Sequence, residues 1–88
     1  MLTSWENYKV KNGTWEDLAQ KVESLGKLEE PNTDGSNLYR NILLNDRYFC
    51  NLALSHDEKE LQAFYIGVDK DTGKNLLEKE LGFELDLC

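Results

Sequence analysis

One proline, one methionine, one histidine and two cysteines are all that 88 residues contain of those types, and no apolar run exceeds four residues, Ala63 to Ile66. Runs that short exclude a transmembrane helix, which needs about 20 apolar residues. The stretch from Met1 to Glu6 has no basic segment leading into an apolar one, so no secretory signal is expected. The expectation is a cytoplasmic protein whose Cys50 and Cys88 are reduced thiols rather than a disulfide. With one histidine and two cysteines, the usual four-ligand zinc set is out of reach unless carboxylates join it, and no cofactor is expected. Internal repeats and low-complexity segments are absent, and the length allows a single domain over 1–88.

Positive charge is also scarce: ten bases stand against seventeen acids, for a net charge of −7. Residues 1–28 balance to zero, with Glu6, Glu16, Asp17 and Glu23 against Lys9, Lys11, Lys21 and Lys27. The whole excess follows residue 28. Such a field repels nucleic acid and anionic membranes and favours basic partners. No basic run interleaved with aromatics is present, so direct nucleic-acid binding is not expected.

What is present is patterning. Residues 4–11 alternate as a strand, with Tyr8 and Val10 on one face and Trp5, Lys9 and Lys11 on the other. Thr14-x-x-Asp17 has the form of a capping box. Trp15, Leu18, Ala19, Val22 and Leu25 then recur at helical spacing as far as Gly26, a natural residue to follow a helix. Lys27 to Asn37, with Pro31 and Asp34-Gly35, reads as a loop. Residues 38–44 and 47–55 read as strands joined across Asn45-Asp46, two types that tolerate a turn with positive φ. In the second of these strands Tyr48, Cys50, Leu52 and Leu54 form the apolar face. Ser55-x-x-Glu58 suits either a helix cap or a turn over His56 to Lys59 followed by a strand at 61–68. The alternation of Gln62, Phe64, Ile66 and Val68 favours the strand. Asp69 to Gly73 reads as a polar break. Leu76, Leu77 and Leu81 then make a short helix ending at Gly82, and residues 83–87 close as a strand carrying Glu84 and Asp86 on one face.

Chemically suggestive groupings fail on geometry. Ser55-His56-Asp57 has triad residue types, but neighbours in sequence diverge in space. Cys50 falls on an apolar face, where a thiol is inert. Asp69-Lys70-Asp71-Thr72-Gly73 misplaces the glycine of a calcium loop by one position. Thr72-Gly73-Lys74 lacks the order of a phosphate loop. Two features remain. One is a spread of carboxylates, which includes Glu29, Glu30 and Asp34 in the loop as well as the later acids. The other is a surplus of aromatics, Trp5, Trp15, four tyrosines and three phenylalanines, for so small a core.

These readings lead to an α+β domain in the order β-α-β-β-β-α-β, with an antiparallel sheet and helices packed on one face. The leading functional expectation is a non-enzymatic, acidic binding protein. It would occlude a basic or nucleic-acid-binding site on a partner protein, as small immunity proteins, antitoxins and phage inhibitors of host defence do. The candidate docking residues are Asp57, Glu58, Glu60, Asp69, Asp71, Glu84 and Asp86. The alternative is a structural or regulatory accessory subunit that buries an apolar patch in an oligomer, including a homo-oligomer.

Overall fold

The structure is a computed structural model that describes residues 5–28 and 36–88. Among the described residues eight elements follow one another: β1 (Glu6–Val10), α1 (Trp15–Leu25), β2 (Lys27–Leu28), β3 (Ser36–Leu44), β4 (Tyr48–Ser55), β5 (Glu60–Ile66), α2 (Lys70–Leu81) and β6 (Leu85–Leu87). The six strands form one antiparallel sheet in the order β2-β3-β4-β5-β1-β6. The α+β class and the antiparallel sheet are as expected from the sequence. The strand count differs by one, because Lys27–Leu28 pairs with Tyr39 and Arg40 where a loop was expected. The other end of that loop, Ser36 and Asn37, belongs to β3 and pairs with Ser55 and Leu54, while residues 29–35, including Glu29, Glu30, Pro31 and Asp34, lie outside the described residues.

The first helix starts where its capping box places it. Thr14 is extended, and its hydroxyl accepts the Asp17 N–H at 3.2 Å. Trp15, Leu18, Ala19 and Val22 are the buried stripe. Gly26 ends the helix in an extended conformation, φ −120°, and not in the left-handed one expected of such a glycine. Its lack of a side chain is needed for space, since a Cβ there would stand 3.0 Å from both Ile42 and Tyr39.

Two corrections concern the second half. Asp69 to Gly73 is not a break. Asp69 is the N-cap of α2, its carboxylate accepting the Thr72 N–H at 3.0 Å, so the helix begins six residues before the first leucine that suggested it. Gly82 then terminates α2 in the left-handed region, φ 76°. The strand expected over 61–68 also ends at Ile66, short of Val68. Leu61 and Ala63 face the core beside Leu54 and Leu52, while Phe64 and Ile66 face away. The neighbouring strand dictates this, because Cys50, Leu52 and Leu54 are wholly buried and register fixes which residues of β5 join them.

Both helices cover one face of the sheet. Beneath them lie Tyr8, Tyr39, Ile42, Leu44, Leu52, Leu61 and Leu85, packed against Leu18, Val22, Leu77 and Leu81. A bulge in β3 makes this possible. Between Tyr39 and Ile42 the pairing with β4 slips by one residue, and Asn41 adopts φ 61° with its N–H on the Asn51 Oδ1 at 3.1 Å. Strict alternation would put Tyr39 and Ile42 on opposite faces. The extra residue turns both inward and sends Leu43 outward. The turn into β4 uses Asn45 and Asp46, both at φ 54°, closed by the Arg47 N–H on the Leu44 carbonyl at 3.0 Å.

Candidate interaction surface

Among the described residues nothing covers the other face of the sheet, and one end of it is apolar. Leu43, Phe49 and Ile66 are in register across β3, β4 and β5 and form one row, exposed by 40%, 47% and 43%. The next row along the strands holds Asn51 opposite Phe64, and Trp5 stands against Phe64 with ring centroids 5.6 Å apart at 49°. Trp5 is itself 39% exposed, so the aromatic pair extends the patch toward β1. Further along, the face becomes polar at Asn7 and Gln62, then charged at Lys9, Asp86 and Glu60. A sheet face of this kind, with large apolar side chains in adjacent strands and no covering layer, is where a sheet protein meets something else.

The seven acidic candidates do not form one surface. Asp57 and Glu58 sit in the exposed turn between β4 and β5, with Glu60 just after it. Asp86 lies near this group: Glu60, Asp86 and Glu58 all act with burial to raise the Cys88 thiol, while Lys9 opposes them. Asp69 and Asp71 are at the opposite end of β5, where Asp69 is engaged as the cap of α2 and its carboxyl is held low by the Thr72 backbone N–H. Glu84 precedes β6 instead of alternating within it. Its backbone is fixed by the Asn12 Oδ1 at 2.7 Å and by the Lys11 N–H at 2.8 Å. The sheet also brings the bases of the neutral segment back to the acids, since Lys9 is the register partner of Asp86. The charge asymmetry seen along the chain is therefore partly undone in space.

Cys50, His56, Tyr8 and Tyr65 are committed to structure. Cys50 is fully buried, and burial, reinforced by the charge of Glu80, pushes its thiol up to about 12. Cys50 and Cys88 are both free, Cys88 on the surface. His56 is exposed but engaged. The Trp15 indole N–H donates to its Nδ1 at 3.4 Å with the rings edge to face, and Asn37 lies 3.4 Å from its Nε2. The Tyr8 and Tyr65 hydroxyls satisfy each other at 2.9 Å beneath α2, and burial raises both. A cleft of about 520 Å³ lies between α2 and the segment before β6. Its polar lining holds that junction together: Glu78 accepts the Leu85 N–H at 2.8 Å and pairs with Lys74 at 3.5 Å. Among the described residues, no group of three or more His, Cys, Asp or Glu could hold a metal ion, and no helix is long and apolar enough to cross a membrane.

Sequence reasoning missed Leu43, Phe49 and Ile66 as surface residues. Two signals pointed there: Phe49 falls out of phase with Tyr48, Cys50 and Leu52, and the aromatics exceed what the core can hold. Trp5 was placed correctly, opposite Tyr8 and Val10. Comparison with family models, with curated proteins and with solved structures found no match for the chain.

Proposed function

We propose that this chain is a non-enzymatic interaction protein, an accessory subunit whose open sheet face is buried in an assembly. The observation that carries this is the row of Leu43, Phe49 and Ile66, large apolar side chains exposed on adjacent strands with no layer over them among the described residues. Phe and Trp beside Asn suit the centre of a protein interface, where aromatic anchors dominate affinity. The non-enzymatic part is supported by the state of the reactive groups. The Cys50 thiol is buried and held protonated, and His56 is tied to Trp15 and Asn37.

A second reading keeps the acidic surface as the working part. It is favoured by the convergence of Glu58, Glu60 and Asp86 around Cys88, an end that would draw a basic or nucleic-acid-binding protein. One experiment separates the two readings: capture from the native host with the wild type, Phe49→Asp, and the double reversal Glu58→Lys with Glu60→Lys. The accessory-subunit reading expects the bound protein to be lost with Phe49→Asp and kept with the reversal. Loss on the reversal alone overturns it in favour of the acidic one.

A further inference from the structure

Independently of the open sheet face, we infer that Asn12 is a site of spontaneous covalent modification. The Gly13 backbone nitrogen closes on the Asn12 side-chain carbonyl and expels ammonia. The aspartyl or isoaspartyl residue that results loosens the hold of the β1–α1 turn on the segment before β6.

Three observations carry this. The first is the dipeptide itself. Asn12 is followed by glycine, and no other asparagine of the chain is. Glycine has no Cβ to hinder the approach of its nitrogen to the preceding side chain. Both residues are exposed, in the connection between β1 and α1.

The second is the hydrogen bonding. The Asn12 Oδ1 accepts the Glu84 N–H at 2.7 Å. A donor fixed there stabilises the oxyanion that forms when the carbonyl carbon is attacked. Among the described residues, neither the Asn12 amide nitrogen nor the Gly13 N–H has a partner, so leaving group and nucleophile are both open to solvent.

The third is that packing requires this pair. Gly13 has φ 117°, and a Cβ on it would stand 2.7 Å from Cε1 of Phe83. Asn12 satisfies the Glu84 N–H, while the Lys11 N–H bonds the Glu84 carbonyl at 2.8 Å. The reactive dipeptide is thus the clasp between the turn and the last strand.

The step balances without an oxidant or reductant. Gly13 nitrogen gives its proton to base and bonds to Asn12 Cγ, and the Cγ–Nδ2 bond breaks as ammonia leaves. Water then opens the cyclic imide. Opening at Cγ gives aspartate, and opening at the backbone carbonyl gives isoaspartate, whose main chain is longer by one carbon. Either product adds a carboxylate to a cleft that Asn12 shares with Glu78 and Glu84. In isoaspartate, moreover, the carbonyl that held the Glu84 N–H becomes part of the main chain.

The test is peptide mapping by mass spectrometry of the folded full chain during warm incubation at neutral and mildly alkaline pH. A synthetic peptide of residues 9–16 and the variant Asn12→Gln, whose longer side chain closes its ring far more slowly, run beside it. The expected result is exchange of NH2 for OH at Asn12 before any other asparagine, no slower than in the peptide, and faster as pH rises. Asn12→Gln shows none there. Isomerisation at Asp34-Gly35 changes no mass and does not obscure the reading. The isoaspartyl chain, once separated, should unfold at lower urea than the wild type and exchange its Glu84 amide hydrogen faster. An Asn12 that stays intact in the folded chain while the peptide converts, or conversion of another asparagine first, overturns the site. An isoaspartyl chain with the wild-type urea midpoint and Glu84 exchange overturns the loosening.

Discussion

Replacing Gly73 by alanine pits helix propensity against packing, and the structure says that packing wins. Gly73 is in the first half of α2, with its N–H on the Asp69 carbonyl at 2.8 Å. Alanine there favours the helix by about 1 kcal/mol. The added Cβ, however, would stand 2.5 Å from Cδ1, 2.7 Å from Cγ and 2.8 Å from Cε1 of Tyr65. Carbon atoms want about 3.5–4.0 Å, so ring and helix must separate by roughly 1 Å. The ring is not free to swing, because its hydroxyl is bonded at 2.9 Å to that of Tyr8, which is 1% exposed. The helix must move instead, and that loosens Leu77 and Leu81 in the core. Overpacking of this kind costs about 1–3 kcal/mol, which leaves a net loss of up to about 2 kcal/mol after the propensity gain. Urea unfolding measures it. A double-mutant cycle with Tyr65→Leu assigns the cause, since removing the ring should relieve much of the cost and give a coupling of about 1 kcal/mol. A Gly73→Ala variant more stable than the wild type by the full propensity gain of about 1 kcal/mol would refute the close packing of α2 on Tyr65.

Other expectations follow from the same packing. Leu18→Ala, at a fully buried site, should cost about 2–4 kcal/mol in urea unfolding, and a loss below about 0.5 kcal/mol would put this face of α1 outside the core. The Cys50 thiol, raised from 9.0 to about 12, gives stability that is whole below 9.0 and lost as pH rises through its folded value. The urea midpoint should therefore fall over that window, by up to about 1.4 kcal/mol per pH unit from the thiol, and Cys50→Ala should flatten the start of the slope. A midpoint constant across that window in the wild type would contradict this. Native-state labelling should modify Cys88 quickly and Cys50 slowly. Asp86→Lys, by removing an acid that raises the Cys88 thiol, should extend Cys88 labelling to lower pH. Asp86→Lys should also cost about 0.2–1 kcal/mol by facing Lys9 with a like charge, and Lys9→Glu should restore it; unchanged stability would show that the pair does not interact.

Local signals were the legible ones. The capping box at Thr14, the stripe from Trp15 to Val22 and the turn at Asn45-Asp46 depend on residues within a few positions of each other, and all stand where the sequence places them. The features that escaped depend on partners far along the chain. The start of α2 is set by Asp69, and polar residues before Leu76 show no apolar stripe to announce a helix. The facing of β5 is decided by Leu52 and Leu54 across the sheet, not by its own alternation, which reads equally well on either face. The bulge at Asn41 leaves no mark in composition, yet it sends Leu43 to the open face beside Phe49. The acidic candidates show the same limit: their spacing along the chain could not reveal that Asp86 meets Lys9 while Asp69 caps a helix 17 positions earlier.

The central claim is that the open sheet face carries the interaction, and amide-resolved NMR of the labelled chain, alone and with the protein it captures from the native host, tests it most directly. The account predicts shifts on binding at Leu43, Phe49, Asn51, Phe64 and Ile66, with the exposed side of α1 at Glu16, Gln20 and Lys21 unmoved. Shifts confined to the helices or to the turn at 56–59 would contradict it.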